Sequence, residues 1–152
     1  MSDPDHGLAA ERRGEARRWL AVAEADLRVV QLCLAASPPE AGVAAYHCQQ
    51  AAEKRLKGLL VLAAVPFGEI HDLVRLGDLA AEHYPDLSVA LPPIGRFTVW
   101  GVAFRYPGIE DGQHPSPPEL RAATQALIPL AVMLRDGVAP PDGAAGVPGI
   151  AD

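Results

Sequence analysis

Three basic side chains and two phenol rings are the residues of this sequence best suited to hold a phosphorylated ligand. Lys54 and Lys57 lie in "AAYHCQQAAEKRLKGLLVLAA" (residues 44–64), and Arg105 opens "RYPG". Lys and Arg supply charge-assisted donors to phosphate oxygens. Tyr46 and Tyr106 can stack on a base. A guanidinium beside Tyr106 and a Pro107-Gly108 turn suits a phosphate group. His71 and Asp72 form a second candidate, since an imidazole with a carboxylate neighbour is the composition of a general base and its orienting acid. Adjacent residues at a helix start rarely point at each other, however. Asp72 in a first turn suits the positive end of the helix dipole, so capping is the preferred reading. His47 reads as exposed on its helix, and His6 and His83 have no partner in sequence. The chain holds no Gly-rich phosphate loop, no Ser-centred nucleophile elbow and no metal-ligand spacing. No metal and no cofactor are expected.

The whole chain bounds what these residues can serve. It has 152 residues, enough for one domain with a single core. Hydrophobic residues make up 49% and aromatics only 5%. That mix of Ala, Leu and Val predicts packed helices over a sheet. The net charge of −6 argues against a duplex nucleic-acid platform over the whole surface, while leaving room for a local basic patch. Cys33 and Cys48 fall in helical patterns and read as reduced, buried thiols. With no apolar signal region and no apolar run of about 18 residues, a soluble cytoplasmic protein is expected.

The elements follow from periodicity. Residues 1–7 read as a flexible tail, 8–136 as the working domain, and 137–152, "GVAPPDGAAGVPGIAD", as a disordered tail. A first helix is predicted from about Leu8 to Ala36, with Trp19, Val22, Ala23, Leu27, Val30 and Leu34 on one stripe. Asp26 sits beside that stripe, an unusual place for a carboxylate. Ser37-Pro38-Pro39-Glu40 and Ser116-Pro117-Pro118-Glu119 both match a capping box with Pro at the first helical position. They predict helix starts at 38 and 117, with helices to about 64 and 136. Between them, helices are predicted from Asp72 to about Tyr84 and from about Pro93 to Phe104. The result is an all-α, up-and-down bundle of four or five helices.

On a helical wheel, Ala45, Cys48, Ala52, Leu56 and Leu59 share one face, and Gln49 falls among them. Gln49 is therefore expected inside, satisfied by Asp26 or by backbone. Lys54 and Lys57 are expected to face outward. The segment from Ile94 to Phe104 has Arg96 as its only charged residue and is otherwise apolar all round, with Val99 and Val102 opposite Phe97 and Trp100. Such a helix either threads the centre or offers its second face to a partner. A partner interface is the favoured reading.

Four stretches together resemble one family. "WLAVAEADLRV" (19–29), "AYHCQQAAEKRLKGLL" (45–60), "IHDLVRL" (70–76) and "FRYPG" (104–108) follow in an order similar to that of HEPN domains of the Gln-Gln-Ala-Glu-Lys type. The name stands for higher eukaryotes and prokaryotes nucleotide-binding. The resemblance covers about residues 15–135. It implies a helical bundle that works as a homodimer, paired with a nucleotidyltransferase partner protein in a module like a toxin–antitoxin pair. It also implies a nucleotide or RNA ligand, held here by Arg105, Tyr106, Lys54 and Lys57. Some branches of the family are metal-independent RNases that use an Arg and a nearby His at a helix start. In this chain the pair would be Arg105 and His114. Eight residues, "YPGIEDGQ", separate them, a longer and more loop-like spacer than the RNase motif has. RNase activity is accordingly the alternative reading, and a helical adaptor without ligand is a second alternative.

Overall fold

In the computed structural model, residues 4–103 and 114–141 are described. Among the described residues, seven α-helices run in the order α1 (Pro4–Ala35), α2 (Ala41–Leu62), α3 (Leu73–His83), α4 (Leu91–Gly95), α5 (Trp100–Ala103), α6 (Pro117–Ala126) and α7 (Ile128–Val138). Short 3-10 turns at Pro85–Leu87 and Arg96–Val99 join α3 to α4 and α4 to α5. No strand occurs among the described residues. The protein is an all-α bundle. No described helix is long and apolar enough to cross a membrane. Of the segment 137–152, read from composition as a disordered tail, Gly137 and Val138 instead close α7, and residues from 142 onward lie outside the described residues.

The centre of the bundle is α2. It packs against α1, α3, α5, α6 and α7. From Cys48 to Val61 only Gln50 and Lys54 escape full burial. Its small residues let neighbours come close: a Cβ on Gly58 would lie 3.0 Å from Leu134 and 3.2 Å from Trp19. The core is aliphatic, with Leu56, Leu59, Leu60, Leu73, Leu76, Ile94, Leu120, Leu127, Leu130 and Leu134 at no more than 1% exposure. Burying such a side chain contributes roughly 1.5–3 kcal/mol. Polar ties fix the register of the helices. Arg17 Nη2 donates to Val138 O at 2.5 Å, binding α1 to the end of α7, and Tyr84 Oη donates to Leu59 O at 2.9 Å.

Apart from α1, which begins at Pro4 inside the stretch 1–7 read as a flexible tail, three helix boundaries differ from the periodic reading. First, Ser37 does not cap α2. The helix begins at Ala41 behind Glu40, with no side-chain cap, and Glu40 N donates to Cys33 O. The residues of the Ser-Pro-Pro-Glu segment are spent reversing the chain between two antiparallel helices. The second copy does what its letters predict: Ser116 Oγ accepts from Glu119 N at 3.3 Å and Glu119 Oε2 accepts from Ser116 N at 2.7 Å. Second, the predicted 117–136 helix breaks at Leu127. Pro129 lacks the N–H that a continuous helix needs, and its ring would meet the carbonyl of residue 125. Third, the run predicted from Pro93 starts at Leu91 and passes through a 3-10 turn, where Phe97 and Trp100 stack at 4.6 Å. It does not thread the centre, since Val99 is 63% exposed.

The end of α2 has a left-handed cap. Ala64 has φ 57°, Ala64 N donates to Val61 O and Val65 N donates to Leu60 O. This is a Schellman arrangement, usually closed by Gly and here closed by Ala.

Candidate functional site

Spacing on α2 sets up the site. Gln49, Glu53 and Lys57 recur every four residues and form one ridge, while His47, Gln50 and Lys54 form the next. The first ridge is buried, the second half-buried. Glu53 collects three donors. Lys57 Nζ lies 2.7 Å from Oε1, His71 Nδ1 lies 2.7 Å from the same oxygen, and Gln49 Nε2 donates to Oε2 at 3.1 Å. Gln49 Oε1 in turn accepts from Gln50 Nε2 at 2.7 Å. Burial pushes the Glu53 carboxyl up, but the hydrogen bonds from Lys57, His71 and Gln49 outweigh it and hold it below the ordinary range. Glu53 is thus ionised at neutral pH. An ionised carboxylate only accepts, so His71 carries its proton on Nδ1.

These groups wall a cleft of about 240 Å³ between α2, the start of α3 and α5. Gln49, Gln50, Glu53, His71, Asp72, Thr98 and Gly101 line it. The His71 side chain is 72% exposed while its partner Glu53 is 8% exposed. Thr98 Oγ1 accepts from Leu73 N at 3.0 Å and anchors the α4–α5 stretch to the start of α3. Gly101 is required by close approach: a Cβ there would stand 2.8 Å from both Cδ and Oε1 of Gln49. That amide cannot swing aside without breaking its bonds to Glu53 and Gln50. With Nδ1 held, His71 has Nε2 left to accept a proton from a hydroxyl or to bond a base edge. Among the described residues no three His, Cys, Asp or Glu side chains converge to hold a metal ion.

A second network lies on the neighbouring ridge. Asp26 of α1, 8% exposed, bonds His47 Nδ1 at 2.8 Å and Lys54 Nζ at 2.5 Å. This explains the carboxylate beside the α1 stripe. Gln49 is satisfied by Glu53 and Gln50, and not by the Asp26 or backbone expected from the sequence.

The residues singled out from the sequence divide clearly. Gln49 is buried as predicted, at 2% exposure. Lys57 was expected outside and is 6% exposed. Its ammonium lies 5.8 Å from the Trp19 ring centre and 5.5 Å from that of Phe67, in addition to its bond with Glu53. The wheel put Lys57 outside because it assumes one covered face, and the central helix has several. Lys54 is 20% exposed and tied to Asp26. Asp72 caps α3 by accepting from Val74 N at 2.8 Å, as preferred, and does not touch His71 as an orienting acid. Arg105 and Tyr106 lie outside the described residues, as does Phe104. His114 packs against the start of α2, where a Cβ on Gly42 would lie 2.8 Å from its Cε1. Sequence reasoning missed the Glu53–His71 pair. The two are 18 residues apart on different helices, and only the packing of α3 on α2 joins them.

Searches of curated proteins and of solved structures find no match to this chain. The family model for the HEPN domain matches residues 16–127, from the first half of α1 to the α6–α7 break. With its helical bundle and this match over most of its length, the chain belongs to the HEPN domain family.

Proposed function

We propose that this chain is the HEPN component of a two-protein, toxin–antitoxin-like module with a nucleotidyltransferase, and that it binds a nucleotide or RNA as a homodimer. Family membership supports a nucleotide- or RNA-related role in general. One observation carries the choice of site. Gly101 packs on Gln49 and His114 packs on Gly42, so both ends of the stretch holding Arg105 and Tyr106 rest on α2. Gly42 and Gln49 are seven residues apart, which puts them on one face with a rise of about 10 Å between them. Arg105 follows Gly101 by four residues, and the proposal has its guanidinium hold a ligand phosphate toward the polar cleft of Gln50, His71 and Thr98, with Tyr106 stacking on the base. Lys54 stands on the adjoining ridge. A phosphate could reach Lys57 only by displacing Glu53, so the proposal rests chiefly on Arg105 and Tyr106. The exposed Val99 on the α4–α5 stretch is the proposed dimer contact.

Co-purification from the native host, with mass spectrometry of bound proteins and nucleotides, tests the partner and the ligand together. Light scattering tests the dimer, which a Val99→Glu charge should split. If wild type is monomeric at tens of micromolar, the dimer is wrong.

A second reading is a metal-independent RNase using Arg105 and His114. It is favoured by the position of His114, held against α2 just ahead of the Ser116 cap, close to the helix start that the family's RNase motif prefers. Incubation of mixed-sequence RNA with the protein in EDTA decides between the two. Cleavage lost in both Arg105→Ala and His114→Ala would make the RNase the better account. Absence of any bound nucleotide, RNA cleavage and partner would leave a helical adaptor.

A further inference from the structure

We propose that a second site, on the opposite side of α2 from the Glu53–His71 cleft, binds a small organic anion with an acidic head and a flat apolar body. The groove lies between α1, α2 and the α6–α7 break and encloses about 540 Å³. That is within the usual size of small-molecule sites, roughly 300–1,000 Å³. Its apolar wall is formed by Leu27, Val30 and Leu34 of α1 with Ile128 of α7. Among the described residues, Arg55 and Arg121 are its only charged lining residues. Two residues separate on a helix by about 200°, so Arg55 faces away from Glu53 and the site is independent of the cleft.

Arg55 is the observation that asks for a ligand. It is 3% exposed, and it forms no ion pair among the described residues. Its Nη1 donates to Leu127 O at 2.9 Å, but its Nε has no hydrogen-bond partner among the described residues. A buried guanidinium with a missing bond and no carboxylate bonded to it is costly. Glu24 favours the Arg55 charge only from a distance: its ion pair is with Arg135 at 2.5 Å, and the Arg135 charge opposes Arg55 more than Glu24 supports it. With Nη1 committed, the edge left on Arg55 is the one that grips a carboxylate or phosphate side-on, and because Nε is sealed from solvent the head group reaches it only as the groove side chains over it move aside. Arg121 stands exposed at the rim to meet the same head group. Ile128, 47% exposed, and the α1 leucines give the rest of the molecule an apolar bed.

The test uses three probes of one shape: 1-naphthoate, 1-naphthyl phosphate and the neutral 1-naphthylmethanol. Each is titrated into the full chain while NMR follows the methyl signals of Leu27, Val30 and Leu34. At least one acid should shift these signals saturably, with a Kd no weaker than about 1 mM. The alcohol should bind at least about tenfold more weakly. Response to the phosphate alone assigns a phosphate head, and response to naphthoate alone a carboxylate. Arg121→Met and Arg55→Lys should each weaken the acid at least about tenfold. If Arg55→Lys does not fold, Arg121→Met on the exposed rim decides alone. The proposal is overturned if neither acid binds at about 1 mM, if the alcohol binds as well as the acids, or if Arg121→Met changes nothing.

Discussion

Glu53 Oε1 stands 2.7 Å from Nδ1 of His71, joining the middle of α2 to the start of α3 through a carboxylate that also holds Lys57. The contact fixes the imidazole tautomer and leaves one ring nitrogen for the cleft. It also makes Glu53 a point where stability and site chemistry meet.

Glu53 is held below the ordinary carboxyl value of about 4.3. A lowered value means that its stabilisation is fully present above the unfolded value and is lost as pH falls through the folded one. Wild-type melting temperature should therefore drop as pH goes below about 4.3. Glu53→Gln should be less stable at pH 7, by about 3 kcal/mol, because Lys57 is left buried without its countercharge. It should also lose part of the acid dependence. A mutant melting curve parallel to wild type across this range would refute the assignment.

Gly101→Ala places a methyl against the Gln49 amide, and the resulting overpacking should cost about 1–3 kcal/mol in denaturant unfolding. The damage should be local, so the His71 ring signals in NMR should move while those of His47 stay in place. Unchanged stability would mean that the α5 stretch sits farther from α2 than described.

The two Ser-Pro-Pro-Glu segments should respond differently. Ser116→Ala removes a working cap and should cost about 1 kcal/mol. Ser37→Ala removes none and should stay within about 0.5 kcal/mol. Equal losses at urea midpoints would return Ser37 to the role its letters suggest.

The contrast shows what was legible in the residues. The helical class, the cap at Ser116, the buried Gln49 and the family could all be read from periodicity and short motifs. Those signals are local. The break at Leu127 was also local, written in Pro129, but a strong apolar period across it hid the proline. The burial of Lys57 was not local. Its long stem is covered because α1 supplies Trp19 on one side and the loop after α2 supplies Phe67, and a wheel of α2 contains neither. The Glu53–His71 and Asp26–His47–Lys54 pairings likewise depend on which helices touch. Polar residues on a helix name their partners only once the packing is known.

Ala64 offers a stabilising change. At φ 57° an L-residue carries strain that glycine does not. Ala64→Gly should raise stability by about 0.5–1 kcal/mol, seen as a higher urea midpoint with an unchanged slope. A loss of stability would show that the α2 cap is not left-handed in solution.

The central proposal is that Arg105 holds the phosphate of a nucleotide or RNA. The most direct measurement is a calorimetric titration of the purified protein, in EDTA, with ATP and with a short single-stranded RNA, beside Arg105→Ala. The account predicts saturable binding of at least one of them by wild type, lost or weakened at least about tenfold in Arg105→Ala, with Arg105→Lys in between because a lysine keeps the charge but not the fork. No binding of either ligand by wild type, or equal binding by Arg105→Ala, would contradict it.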